Sequence, residues 1–253
     1  MPADVRFQIY TRFNEPANLA LAGEKRRVHT FPADLFPTDS LPDRLARALA
    51  AHHVMHLKEL LESFEFFARV RKRVRRPTMV DLCAGHGLTG ILFALCERTV
   101  ERVVLIDQRV PETFEAIRAA VVNIAPWVAP KLHYQCAPVD DDLSLPQGAG
   151  TLLVHACGPL TDVGLRLAMA SGGPVAAMPC CYGKARPTVL PGLTRALGRT
   201  LACDVARSYS LDAAGYQVDW SAIPQAITPM NRILVGWNRT GSDTTGPADR
   251  PPR

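Results

Sequence analysis

The chain has 253 residues, with 29 Lys and Arg against 24 Asp and Glu, so its formal charge is +5, and 47% of it is hydrophobic. These values are typical of a globular protein with one large domain and a single sizeable core. No apolar run approaches the roughly 20 residues of a membrane span, and residues 1–13 lack the apolar stretch of a signal peptide. The seven cysteines have no Cys-x-x-Cys spacing, which argues against a disulfide framework or a zinc knuckle. We therefore expect a cytoplasmic protein that makes no membrane contact.

The first 76 residues are predicted to form an N-terminal cap. Residues 5–9 alternate apolar and polar side chains, and Pro32, Pro37 and Pro42 punctuate the loop that follows, so this part should have weak structure of its own. Over residues 45–70, apolar side chains recur at helical spacing without Pro or Gly. This pattern predicts one or two amphipathic helices.

Short β-like segments alternate with helical ones from Thr78 onward. The predicted strands cover residues 79–82, 102–106, 131–135, 151–155, 174–178 and 232–237, and the predicted helices cover residues 88–97, 112–123, 160–170 and 190–214. Alternation of this kind predicts a parallel sheet with helices on its faces. We expect one α/β domain over residues 77–239 and a disordered tail over residues 240–253, which are rich in Pro, Gly, Thr and charge.

The first predicted strand leads into Asp81-Leu-Cys-Ala-Gly-His-Gly-Leu-Thr-Gly90, a glycine loop that opens a helix. Glycines at this spacing allow a tight turn and a close approach of the backbone to a ligand. The spacing also marks NAD- and FAD-binding proteins. Asp81, however, stands where a carboxylate would repel a dinucleotide pyrophosphate and attract the α-ammonium of a methionine group. Its position favours S-adenosylmethionine (SAM) over NAD.

Two further acids are candidates for cofactor binding. Asp107 ends the next strand about 20 residues after the loop, where a carboxylate can accept hydrogen bonds from both hydroxyls of a ribose. Since SAM and NAD share this ribose, Asp107 indicates a nucleoside without choosing between them. Asp140 begins an Asp-Asp-Asp run after the third strand. It either contacts the adenine amine or is simply solvated.

Polar clusters follow two later strands, at His155-Ala-Cys-Gly158 and Pro179-Cys-Cys-Tyr182. In an open parallel sheet both should face the ligand crevice. His155 can act as a general base or orient a substrate. Cys157 or Cys181 can act as a nucleophile if its pKa is lowered, whereas a buried cysteine is more often an inert apolar residue. His155, Cys157, Cys180 and Cys181 could converge on a metal, but no spacing signature supports one, and no metal is predicted.

The segments Asp81 to Gly87, His155 to Asp162 and Pro179 to Tyr182 together resemble a class I methyltransferase-domain family. Its members include the methyltransferase domain of glutathione S-transferase C-terminal domain-containing proteins and, more distantly, the eukaryotic tRNA 2′-O-methyltransferases. The resemblance spans about residues 51–237 and includes Thr228-Pro-Met-Asn-Arg232. It implies a Rossmann-like, seven-stranded, mostly parallel sheet with helices on both faces and SAM as methyl donor. The predicted cofactor-binding residues are Asp81, Cys83, Ala84, Gly85, Gly87, Asp107, Gln108, Asp140 and His155, and the candidate catalytic residues are His155, Cys157 and Cys181.

A basic run, Arg69-Val-Arg-Lys-Arg-Val-Arg-Arg76, precedes the first strand. One interpretation is a solvated helix end, where cations are stabilised by the helix dipole. The other is a set of phosphate contacts to RNA. The first strand of this fold begins on the side opposite the crevice, which would place the run far from the reaction centre.

The residues favour a SAM-dependent methyltransferase with RNA, such as tRNA or rRNA, as a possible acceptor. A protein or a small molecule is the alternative acceptor. An NAD-dependent oxidoreductase is disfavoured by Asp81 and by the absence of a recognisable hydride-transfer dyad. A non-catalytic RNA-binding module is disfavoured because Asp81, Gly85, Gly87 and Asp107 are all present.

Overall fold

The computed structural model describes residues 5–182 and 189–238, so the tail predicted over residues 240–253 lies outside the described residues. The helices are α1 Pro16–Leu19, α2 Leu41–Ala51, α3 Leu57–Val74, α4 Leu88–Cys96, α5 Glu112–Ile124, α6 Leu160–Ser171, α7 Pro191–Leu197 and α8 Arg199–Ala213. The strands are β1 Thr78–Leu82, β2 Arg102–Asp107, β3 Leu132–Cys136, β4 Gly150–Val154, β5 Val175–Met178, β6 Tyr216–Ala222 and β7 Arg232–Asn238. None of the described helices combines the length and the apolar character needed to cross a bilayer.

The strands form one seven-stranded sheet in the order β3-β2-β1-β4-β5-β7-β6. Among them, β7 alone runs against the others, pairing antiparallel with both β5 and β6. The chain moves outward from β1 through β2 to β3 and then returns to place β4 on the other side of β1. This order confirms the predicted Rossmann-like α/β fold with a mostly parallel sheet, and it puts the topological switch point between β1 and β4.

Helices cover both faces of the sheet because the central strands are apolar on both sides. In β1, Met79 belongs to the core on the side of α3, α4 and α5, while Val80 and Leu82 belong to the core on the side of α6. In β2, Val103 and Val104 alternate in the same way. Continuous burial on two faces is the pattern expected of parallel strands.

The residues before β1 pack into the larger of these two cores. Phe7, Tyr10 and Phe13 are buried there together with the apolar face of α3, although the segment before α2 has little regular structure beyond short helical turns. The boundary placed at residue 76 falls between α3 and β1, and one core continues across it. The N-terminal cap is therefore built onto the sheet.

Helix α3 meets the sheet at a glycine. A Cβ atom added to Gly150, the first residue of β4, would lie 2.1 Å from the carbonyl oxygen of Val74 and 2.6 Å from the sulfur of Met79. Only a residue without a side chain allows the end of α3 to approach β4 this closely. This contact fixes the C-terminal end of a helix whose N-terminal half reaches the candidate site.

In the last third of the chain one sequence prediction is wrong and one strand was not predicted. Residues 190–214 form two helices instead of one, because Gly198 has φ +72° and separates α7 from α8. Strand β6 was not predicted, although Tyr216, Val218, Trp220 and Ala222 alternate with polar residues. In the cap, the one or two helices expected over residues 45–70 are two, α2 and α3, which together extend beyond that range at both ends.

Candidate functional site

A crevice of about 430 Å³ opens at the carboxyl ends of β1, β2 and β4, at the switch point of the sheet. Its lining residues are Cys83, Asp107, Gln108, Arg109, Val139, His155, Cys157 and Leu160. A smaller cavity of about 160 Å³ shares Cys83 and His155 with it and is also lined by Glu59, Glu62, Ser63, Asp81, Ala84, Gly85, His86, Thr89 and Val154. Open parallel sheets bind ligands at this position.

The backbone is unusual where the chain enters the crevice. Cys83 and His155 each follow a strand directly and have φ values of +57° and +59°, a region that residues other than glycine rarely adopt. Gly85, with φ +52°, has no atom within 4 Å of an added Cβ, so it borders open space. Gly87 differs, since an added Cβ would lie 2.9 Å from Cδ1 of Leu105. Gly85 therefore permits approach of a ligand, and Gly87 permits packing of the loop on β2.

Asp107 joins the end of β2 to the glycine loop. Its Oδ2 accepts a hydrogen bond of 2.9 Å from the backbone N–H of Gly85. Within the described part of the chain no hydrogen bond involves its other oxygen, and the residue lines the crevice. One carboxylate oxygen thus holds the loop, and the other remains for a ligand.

Asp81 is buried beneath the loop, with 2% of its surface exposed. Its Oδ2 accepts a hydrogen bond of 2.9 Å from the backbone N–H of Gly90, at the start of α4. Burial raises the pKa of Asp81 to about 7, although the Gly90 hydrogen bond opposes this effect. A cation placed in the adjoining small cavity would stabilise the charged form of this carboxylate.

His155 contacts a carboxylate that the sequence analysis did not predict. Its Nε2 lies 3.0 Å from Oε2 of Glu62, which is buried on α3 and also forms an ion pair with Lys58. Burial raises the pKa of Glu62, but the hydrogen bond and charge of His155, followed by those of Lys58, outweigh it, and the net pKa lies below its usual value. An ionised carboxylate can only accept, so the ring donates from Nε2.

His86 is a second site residue missing from the prediction, although it stands inside the glycine loop. Its Nδ1 accepts a hydrogen bond of 3.1 Å from the backbone N–H of Leu88. Burial lowers the pKa of His86, with Glu59 opposing the shift and His155 adding to it. The signal that could have revealed Glu62 is its place among apolar residues of α3, since Leu60, Leu61 and Phe64 are buried around it in the sequence.

The strand-end cysteines converge. The Sγ atom of Cys157 lies 3.4 Å from the sulfur atoms of both Cys180 and Cys181, and those two are 3.6 Å apart. His155 does not belong to this group, since its Nε2 contacts Glu62. Burial raises the pKa of the thiols of Cys157 and Cys180, and it raises that of Cys83 to about 12. These shifts oppose the formation of a free thiolate nucleophile.

Asp140 lies apart from the residues that line the crevice. It is exposed, and its Oδ1 accepts a hydrogen bond of 3.2 Å from the N–H of Asp142. Among the residues described, neighbouring Val139 takes the place in the crevice wall that the sequence assigned to Asp140. The predicted residues Cys83, Ala84, Gly85, Asp107, Gln108 and His155 all border one or other cavity.

The basic run is partly neutralised by ion pairs, one within α3 and two to the end of α4. Arg69 pairs with buried Glu65, and Arg71 and Arg75 both pair with Glu97 at the end of α4. Lys72 and Arg73 are exposed, and the Arg73 guanidinium lies 4.1 Å from the ring centre of Trp237. At 1.5 Å per residue, Arg73 is about 16 Å along α3 from Glu62. Half of the run is therefore structural, and the rest lies away from the crevice.

Comparisons with known proteins bear on the architecture. No protein-family model matches the chain, and no curated protein matches it significantly, so the resemblance found in its motifs stays a prediction. Among solved structures, a SAM-dependent methyltransferase from Aquifex aeolicus is 13% identical over 70% of this chain and 90% of its own, with a TM-score of 0.44. A 16S rRNA adenine methyltransferase from Catenulisporales acidiphilia, crystallised with SAM, is 20% identical over 69% of this chain and 88% of its own, with a TM-score of 0.40.

A tRNA methyltransferase from B. subtilis is 10% identical over 68% of this chain, with a TM-score of 0.42, and this chain spans 64% of its length. At TM-scores below 0.5, these neighbours carry no functional assignment for this chain.

The buried position of Asp81 makes stability depend on pH. Its pKa is about 7 in the folded protein and about 3.9 in an unfolded chain, so between these values the folded state holds a proton that the unfolded state has lost. Stability therefore falls as pH rises from about 4 to 7, and Asp81→Asn removes this loss. We expect the variant to gain about 1–3 kcal/mol more, relative to wild type, at pH 8 than at pH 5 in urea unfolding. A gain that is equal at both pH values would contradict the assignment.

Proposed function

We propose that the chain is a SAM-dependent methyltransferase that binds its cofactor in the crevice at the ends of β1, β2 and β4. One observation carries the proposal: the open space beside Gly85 is flanked by Asp107, with an oxygen left for a ligand, and by the buried carboxylate of Asp81. This set provides a site for a ribose and a site for an ammonium group. Of the two acids, Asp81 stands where a dinucleotide would place its pyrophosphate.

The residues around the crevice fit SAM in charge as well as in shape. Asp107 would accept the ribose hydroxyls, and Asp81, which lines the small cavity, would hold the α-ammonium. An ammonium there offsets the cost of ionising a carboxylate that burial has given a pKa of about 7. Bound SAM supplies an electrophilic methyl group on a sulfonium. The chain's own contribution is to align an acceptor for in-line displacement, since positioning alone supplies several kcal/mol.

We assign to His155 the role of contacting the methyl acceptor. Glu62 holds its ring from the α3 side and keeps the proton on Nε2, which leaves the lone pair of Nδ1 to accept a proton or a hydrogen bond from the acceptor. The side chain is 36% exposed and borders both cavities, so it can reach a ligand. Glu62 acts through His155 and is a positioning residue.

The competing mechanism is covalent attack by Cys157 or Cys181, as carbon methylation of a pyrimidine requires. The raised pKa of the Cys157 thiol disfavours attack by Cys157.

The acceptor that we propose is RNA. Lys72, Arg73 and Arg76 lack an acidic partner among the described residues, and Arg73 lies over Trp237 beside a cavity of about 720 Å³ that is also lined by Trp220 and Tyr209. A cation beside exposed and half-buried aromatic rings suits single-stranded RNA, whose bases stack on aromatic side chains. Arg73 lies about 16 Å along α3 from Glu62, the partner of His155, and a polynucleotide can span such a separation.

Titration calorimetry tests the cofactor. A charge-assisted hydrogen bond contributes roughly 1.5–3 kcal/mol, so Asp81→Ala and Asp107→Ala should each weaken SAM binding about tenfold or more. Asp140→Ala is the matched control and should bind SAM like wild type, because Asp140 lies outside the crevice wall. Tight binding of NAD would support an oxidoreductase instead. Unchanged SAM affinity in both crevice variants would contradict the roles proposed for Asp81 and Asp107.

Methyl transfer from labelled SAM to total RNA tests the mechanism. We expect His155→Ala to lower turnover by roughly 10²–10⁴-fold and to leave SAM affinity nearly unchanged. Glu62→Gln keeps the hydrogen bond but loses the charge, and should lower kcat less. Full activity in His155→Ala would refute its role, and a stable adduct with 5-fluoropyrimidine RNA would favour the cysteine mechanism. The same assay on protein and metabolite fractions tests the other acceptor classes.

Salt dependence of RNA binding tests the acceptor. Changing Lys72, Arg73 and Arg76 to Gln should reduce the slope of log affinity against log salt by about 2, since each lost contact to a single strand contributes about 0.7. Arg71 and Arg75 are left intact because their ion pairs with Glu97 hold α3 to α4. The matched control changes exposed Lys25, Arg44 and Arg102 to Gln and lowers the net charge equally. An equal reduction in both variants would show non-specific attraction only.

A further inference from the structure

The cluster formed by Cys157, Cys180 and Cys181, here called the thiol triad, comes from two neighbouring turns. Strands β4 and β5 pair in parallel, with Val154 opposite Met178, so the turns that follow them leave the sheet side by side. The backbone N–H of Gly158 then donates to the carbonyl oxygen of Cys181 at 3.3 Å. The triad is therefore assembled by the backbone of two strand ends and not by a chance meeting of mobile side chains.

The sulfur atoms form a nearly equilateral triangle with sides of 3.4, 3.4 and 3.6 Å. Three sulfur ligands on a tetrahedral zinc ion, with Zn–S bonds of about 2.3 Å, lie about 3.8 Å apart. The triad needs to expand by only a few tenths of an ångström to match this arrangement. In the described residues it is also the one group of three or more metal-ligating side chains whose ligand atoms all lie within 4.8 Å of one another.

We propose that the thiol triad binds Zn²⁺ through three thiolates and leaves the fourth coordination position open to the crevice. Thiolates select zinc and other thiophilic cations over Mg²⁺ and Ca²⁺, which prefer oxygen. Three protein ligands with an open position are typical of reactive zinc sites, whereas structural sites are closed by four. The position opens to the crevice because Cys157 is part of both the triad and the crevice wall. The proposal stands on the sulfur geometry and does not require that the chain bind SAM.

A buried polar network holds the two turns in place. The hydroxyl of Tyr182, next to Cys181, donates to Oδ2 of Asp204 at 2.9 Å. Arg207, which is 1% exposed, binds Oδ1 of Asp204 at 3.2 Å and Oδ1 of Asp162 at 2.8 Å. Asp162 lies in the first turn of α6, shortly after Cys157. The network thus connects both turns through Tyr182 and Asp162, as the outer shell of a metal site does when it orients the ligands.

The site suits a methyl acceptor or a water molecule in the fourth position. A zinc ion there would border the crevice that Asp107 and His155 also line and would lower the pKa of a group bound to it. A soft or polar donor atom of an acceptor is the class of ligand that completes such a tetrahedron.

The test is cobalt and zinc binding by the full-length protein, prepared metal-free under reducing conditions. Co²⁺ should bind one per chain, with a sulfur-to-cobalt charge-transfer band and intense tetrahedral bands in the visible region. Zn²⁺ should displace it. Cys157→Ser, Cys180→Ser and Cys181→Ser should each weaken binding by more than about 100-fold, since loss of an outer-shell partner alone costs 10–100-fold. Cys136→Ser, a change at an exposed cysteine outside the triad, should bind like wild type.

The open position has its own readout. A small thiol added to the cobalt protein should shift the charge-transfer band, because it enters the fourth position, whereas a closed site would not respond. Circular dichroism and urea unfolding of each serine variant show whether it is folded. If the folded wild type binds no Co²⁺, or if Cys136→Ser loses binding as much as the triad variants do, the proposal is wrong. Two of the triad thiols found oxidised, with no metal affinity after reduction, would identify a redox pair instead.

Discussion

The buried guanidinium of Arg207 is the charge around which the strand-end turns are arranged. A charge with 1% exposure is very costly without partners, so the fold must bring carboxylates to it. Asp162 and Asp204 fill this role, and Asp204 in turn binds Tyr182 and Arg232. Because Asp162 ends the His155 to Asp162 motif and Tyr182 ends the Pro179 to Tyr182 motif, one buried charge determines where both turns lie. Buried ion pairs often contribute little net stability, and the role of this one is to position.

The two cavities have walls of different origin. The crevice is lined by the carboxyl edge of the sheet, where Cys83, Asp107 and His155 follow or end neighbouring strands. The small cavity is also lined by the N-terminal half of α3, which brings Glu62 to His155. Gly150 lets the far end of the same helix approach β4 closely. A feature of the cap thus completes a site that the sheet begins.

The sequence predicted the part of the site that depends on local chain order. The glycine loop, Asp107 and the strand-end motifs stand at the ends of predicted strands, and strand ends meet at one edge of a parallel sheet whatever the details. Contacts between distant segments were not predictable in this way. The pairing of Arg71 with Glu97 and that of Glu62 with His155 join residues 26 and 93 positions apart. From the sequence alone the six cations of the basic run look alike, whereas in the structure three of them form ion pairs with Glu65 or Glu97.

Some local sequence patterns also differ from the structure that they were expected to form. Gly198 stands inside an otherwise helical pattern, where glycine commonly ends a helix, and it does so here. The alternation in β6 is clear, but the strand is an edge strand with half-exposed side chains and reads as a polar segment. Asp140 looked like a ligand because of its place after β3, and only the path of the chain shows that Val139 faces the crevice.

Glu65, which neighbours Glu62 on α3, connects the N-terminal segment to the candidate site. Glu65 is fully buried, pairs with Arg69 and accepts the backbone N–H groups of Gln8 and Ile9 at 3.0 and 2.9 Å. It lies three residues from Glu62, less than one turn of the same helix. Deleting the first ten residues would strip a buried carboxylate of two donors within a turn of the residue that holds His155. Loss of this segment would therefore loosen the helix that completes the site.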